Sequence, residues 1–189
     1  METALNALHD TNTADTDIFK SICADFEDVL PSDLHETLSH LLHKPYLHES
    51  TDIIPSPLVQ GIVWGASLRP IISLNVQLAQ PIITLSGTRA PIHVHFLYLA
   101  ASPQTFMSDQ ALRVLGIEDM VVVGHAQNGS STSSMRLPLK INGYPVLVAR
   151  SPTNSHFAHL NILGQDFIHL ARAHVFFGGQ IPQFQISFS

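Results

Sequence analysis

The residues best equipped for chemistry in this chain are its histidines, twelve in 189 residues. His93 and His95 stand two apart in an apolar stretch, and on an extended strand that spacing sends both rings to one face. Two imidazoles on one face are the start of a metal platform. A third ligand is not named by the sequence: His125, His156 and His159 are available but unplaced. The plainer reading is a pair of polar side chains on a solvated or interface strand, and no cofactor is expected. Ser102 follows His95 by seven residues, so a Ser–His hydrolase comes into view. That chemistry also needs an orienting carboxylate and an oxyanion hole, and no acid stands close to Ser102 in sequence. His35, His40 and His43 read as surface residues of a helix. The single cysteine, Cys23, excludes an internal disulfide framework and a Cys-built zinc site.

Apolar residues make up 45% of the chain and charged residues 13%, which excludes a wholly disordered chain. A net charge of −6 argues against a general nucleic-acid binder. The charge is unevenly spread. Residues 1–52 hold eleven acids and two bases, a net −9, whereas residues 53–189 hold four acids and seven bases, a net +3. Arg150 and Arg172 are therefore expected to face the acids of the N-terminal region. No apolar run approaches the ~20 residues of a membrane-spanning helix. Met1–Asp10 lacks the basic start and apolar stretch of a secretory signal, so an intracellular, cytoplasmic protein without membrane attachment is expected.

Residues 1–16 have no sustained pattern and read as a tail. Ile18, Ile22, Phe26 and Val29 then recur at helical spacing, as do Leu34, Leu38, Leu41 and Leu42 after Pro31. Residues 17–49 thus read as an acidic helical hairpin that must dock elsewhere to bury its apolar stripe. Residues 50–65, with Pro55 and Pro57, read as a linker. From residue 66 onward the pattern is β. Strands are expected at 71–78, 81–86, 91–99, 120–123, 135–141, 144–149 and 183–189, with turns at Gly87-Thr88-Arg89 and Asn142-Gly143. Ser108 caps a short helix that Gly116 stops, and a second short helix begins near Gly164. Short strands at close spacing with few helices predict a closed, barrel-like β domain.

His95-Phe96-Leu97-Tyr98-Leu99-Ala100-Ala101-Ser102-Pro103-Gln104-Thr105-Phe106-Met107-Ser108, followed by Leu115-Gly116-Ile117, resembles the active-site segment of retropepsin-like aspartic proteases. Lys140–Val146 resembles the hairpin after that family's flap. Asn161-Ile162-Leu163-Gly164-Gln165-Asp166-Phe167-Ile168 resembles its Leu-Gly-x-Asp-Phe/Leu segment. The resemblance covers roughly residues 66–178. It implies a mainly β, retropepsin-like barrel, a homodimer, and a flap whose tip is His125-Ala126-Gln127-Asn128-Gly129. Asp166 then matches the residue that opens the last helix and braces the fold.

Carried across position by position, the catalytic Asp falls on Leu99, the Thr/Ser on Ala100, the Gly on Ala101 and the next residue on Ser102. That family's reaction needs two carboxylates, one per subunit, sharing a proton and activating a water. A leucine has nothing to share. The expectation is a proteolytically inactive, homodimeric binding or scaffold protein, with the former substrate cleft free to hold an extended peptide or protein ligand. Leu99 would meet its symmetry mate at the twofold axis, where a buried leucine contributes about 1.5–3 kcal/mol. Phe184, Ile186 and Phe188, alternating on the last strand, would extend that seam. The alternative is an active aspartic-type endopeptidase whose carboxylate is non-standard or supplied by a partner.

Overall fold

The computed structural model describes residues 28–51, 55–80, 83, 84, 87–117, 136–152, 155, 157–178 and 183–189. It is mainly β. Two short helices come first, α1 (Pro31–His35) and α2 (Thr37–Leu41). The strands are β1 (Leu58–Trp64), β2 (Arg69–Leu78), β3 (Ile83–Thr84), β4 (Gly87–Thr88), β5 (Ile92–Tyr98) and β6 (Phe106–Met107), then β7 (Arg136–Ile141), β8 (Tyr144–Arg150) and β9 (Asn161–Leu163), and finally β10 (His174–Phe177) and β11 (Gln183–Ser187). Helix α3 (Asp109–Val114) follows β6, and α4 (Gln165–Leu170) follows β9. Among the described residues no helix is long and apolar enough to cross a membrane.

The expected closed barrel is present. Nine strands run in the order β10-β11-β1-β2-β5-β9-β6-β8-β7, and β2 also pairs with β7. Strands β2, β5, β9, β6, β8 and β7 therefore form a six-strand ring, which leaves none of the six with an open edge along its whole length. Closure depends on β2 changing neighbours. Its first half, Arg69–Ile72, pairs with β1, and its last residues, Val76–Leu78, pair with β7. Leu74, Val76, Phe96, Leu139, Val148 and Leu163 belong to a single core cluster.

Several local signals act as expected. Ser108 accepts the Ala111 amide on its Oγ and caps α3, and Gly116 ends it at φ +76°. Asn142 (φ +47°) and Gly143 (φ +85°) form the two-residue turn from β7 to β8, the left-handed pair that suits strand twist.

Other expectations are corrected. Leu58–Trp64 lies in the stretch read as a linker, yet it is strand β1, held between β2 and β11. Its exposure does not alternate cleanly, so no period-2 signal marked it. Gly87 and Thr88, expected as a turn, pair with Ile83 and Thr84. The second N-terminal helix is broken in two at Glu36 (φ −106°, ψ −81°), although Leu34 and Leu38 keep the buried stripe. The first helix of the hairpin, and the strand at 120–123, lie outside the described residues. Arg150 pairs with Asp109 at the start of α3. Among the described residues, Arg69 on the β domain bonds the N-terminal Asp28 at 3.3 Å.

The last strand is paired along both edges. β11 has neighbours on both edges within its own chain, β1 and β10. Phe184, Ile186 and Phe188 are buried in that chain's own core, with Phe188 stacked on Tyr144 at 5.6 Å.

Candidate functional site

The segment Leu99–Ser102 is a surface turn between β5 and β6. The Leu99 amide donates to the Leu163 carbonyl at 3.1 Å, extending the parallel β5–β9 pairing by one step. The Ser102 amide then closes the turn on the Leu99 carbonyl at 2.9 Å. Leu99 is half-buried, Ala100 and Ala101 are exposed, and Ser102 is buried. The start of α4 grips the far side: the Gln165 amide donates to the Ser102 carbonyl at 2.9 Å. Gly164 passes so close to the Gln104 backbone that an added Cβ would lie 2.3 Å from its carbonyl oxygen.

Asp166 locks this arrangement. Its Oδ2 accepts the Thr105 amide at 3.0 Å and its Oδ1 accepts the Thr105 hydroxyl at 2.6 Å. Oδ1 also takes the Phe167 amide at 2.7 Å, and Thr105 Oγ1 accepts the Gly164 amide at 3.1 Å. Both carboxylate oxygens are thus committed to holding one loop on another. Asp109, at the start of α3, is paired with Arg150, whose hydrogen bond holds the Asp109 carboxyl below its ordinary value.

The turn itself offers no group that could exchange a proton with a substrate. The Ser102 hydroxyl donates to the Gln104 carbonyl at 2.6 Å. His95 is not its partner: the imidazole Nε2 lies 3.3 Å from Ser39 Oγ, on the face covered by the N-terminal segment. The Ser102–His95 dyad is therefore not assembled. His93 and His95 are both buried, which corrects the solvated-strand reading. Among the described residues no group of three His, Cys, Asp or Glu side chains could hold a metal ion. His159 is bonded instead to the Val29 carbonyl at 2.7 Å. His125, Ala126, Gln127, Asn128, Gly129 and His156 lie outside the described residues.

One residue that sequence reasoning passed over is the polar centre of this region. Asn161, at the start of β9, is 1% exposed. Its Oδ1 accepts both the amide and the hydroxyl of Ser108, at 2.9 and 3.0 Å. Its Nδ2 donates to the Tyr46 hydroxyl at 2.8 Å and the His95 carbonyl at 3.2 Å. Burial raises the pKa of the Tyr46 phenol, against the opposing hydrogen bonds to Asn161 and Ser108. An asparagine just ahead of an apolar Ile-Leu pair was the available signal, since a polar side chain beginning a buried strand has to be satisfied there.

Fold and site together define a closed six-strand β-barrel whose Leu99–Ser102 turn is held by α4 and carries only hydrocarbon and one committed hydroxyl. Neither a scan against protein-family models nor a search of curated proteins found a match for this chain.

Proposed function

We propose that this chain is a proteolytically silent, retropepsin-like binding or scaffold protein that acts as a homodimer. The observation that carries the reading is the contrast at one turn. The framing bonds of Thr105, Gly164, Gln165 and Asp166 are all made, while Leu99, Ala100 and Ala101 supply no polar side chain. A frame kept without its acid suits structural re-use of a fold better than a weakened enzyme.

Leu99, Ala100 and Ala101 also form an apolar turn at the surface of the single chain. A second copy about a twofold axis would bring the two turns together and bury both leucines. The former substrate cleft would then hold an extended peptide through main-chain hydrogen bonds and side-chain pockets. Binding is best sought with the full chain, because a fragment beginning at residue 66 would lack β1, to which β11 pairs.

Leu99→Asp tests the assembly. Two facing carboxylates cannot both ionise without a large penalty. The dimer dissociation constant at pH 7 is expected to rise at least tenfold, about 1.4 kcal/mol, and to recover in acid as the pair takes up a proton. Size-exclusion chromatography with light scattering reads this directly. A mutant dimer as tight as the parent at neutral pH would contradict it.

A further inference from the structure

Residues 28–50 form an arm laid across β5 outside the barrel's ring of paired strands. The Leu47 amide donates to the His93 carbonyl at 2.8 Å, the His93 amide to the His48 carbonyl at 2.9 Å, and the Ser50 amide to the Pro91 carbonyl at 2.7 Å. Leu34, Leu38 and Tyr46 seal the arm onto the core. His95 lies at this seam, its ring 5.0 Å from that of Tyr46.

Hydrogen-bond accounting fixes the state of that ring. Ser39 Oγ donates its one proton to the Leu34 carbonyl at 2.8 Å and accepts the Tyr46 amide at 2.9 Å. Toward His95 Nε2 it can only accept, so Nε2 carries a proton, and the ring is neutral because no acceptor faces Nδ1 to hold a second one. Nδ1 is buried with no partner. The titratable groups facing the ring are Tyr46 and His35 from the arm and His93 from its own strand. Ser73, opposite on β2, has a buried hydroxyl that is itself without a partner, so it does not reach Nδ1.

We propose that His95 makes the arm an acid-released strap: protonation at Nδ1 is incompatible with the docked arm, so the arm opens ahead of the barrel as pH falls. The six-strand ring needs no arm residue to close, whereas the ring of His95 is enclosed by arm side chains. The sign follows from the protonation states. Burial first, then the charges of His93 and His35, push the docked imidazole down to about 3 from 6.5. The open arm lets His95 return toward its ordinary value. Docking is at full strength above about pH 6.5 and weakens by about tenfold per pH unit as pH falls toward 3.

Native-state hydrogen exchange on the full chain tests this. After correction for intrinsic rates, the amides of Leu47 and Ser50 should lose about 50-fold protection between pH 6.5 and 4.5. At pH 4.5 they should exchange at least tenfold faster than Val148 in β8. In His95→Gln, which keeps a donor toward Ser39 but cannot be protonated, the arm amides should hold constant protection over this range; His95→Phe, which keeps the stack on Tyr46, serves if the first variant does not fold. Arm protection independent of pH in the parent chain, a common rate for arm and barrel at pH 4.5, or an unchanged loss in the variants would each overturn the proposal.

Discussion

Gly164→Ala is expected to cost about 3 kcal/mol or more, the upper end of the range for overpacking a tight interior. A Cβ at this position would lie 2.3 Å from the Gln104 carbonyl oxygen and 2.4 Å from its carbonyl carbon. Both are backbone atoms, so no side chain can swing aside. The Gln104 backbone is itself pinned, since Thr105 next to it is held by both oxygens of Asp166. Relief would require pulling the Leu99–Thr105 turn away from α4 and breaking the bonds that frame it. In thermal unfolding followed by circular dichroism, a loss of this size lowers the midpoint by about 6–12 °C. A change under about 1 kcal/mol would mean that the two segments do not meet as described. The glycine is required by close approach, not by an unusual dihedral, because its φ of −96° suits any residue.

Asn161→Ala is the second large effect, expected at about 3–5 kcal/mol from the groups it strands. Truncation leaves the Ser108 amide, the Tyr46 hydroxyl and the His95 carbonyl without their partner in a site closed to water. Asn161→Asp differs by one group and is expected not to rescue. It keeps an acceptor for Ser108 but turns a second oxygen, and a charge, toward the His95 carbonyl. Urea unfolding of both variants at pH 7.5 checks the argument. Near-parent stability of Asn161→Asp would show that the amide nitrogen is not needed there.

Much of the frame around this turn could be read locally. Ser108 and Gly116 bound α3 because capping and left-handed stops are short-range chemistry. Asn142-Gly143 made a hairpin because only such a pair takes positive φ twice in succession. Strands β2, β5, β7 and β8 were visible as apolar runs between turn residues. The barrel followed from the spacing of those strands.

What escaped was decided at long range. β1 carries no alternation because it runs half-exposed between β2 and β11, and its Gly61 lies beneath the Phe184 ring. The last strand was legible as a strand, but its pairing with β1 and β10 was not, since β10 (His174–Phe177) gave no signal of its own. His93 and His95 were placed on one face, which follows from period 2, yet their burial depends on an arm that begins at residue 28, far earlier in the chain. Asn161 went unremarked because its four partners come from three separate stretches of chain.

The central proposal is that the hydrocarbon turn held by Thr105, Gly164, Gln165 and Asp166 leaves this protein without proteolytic activity. The purified full chain, incubated with an unfolded protein substrate from pH 4 to 7 with and without an aspartic-protease inhibitor, measures that claim directly. The account predicts cleavage no faster than buffer at every pH. Cleavage that the inhibitor abolishes would contradict it.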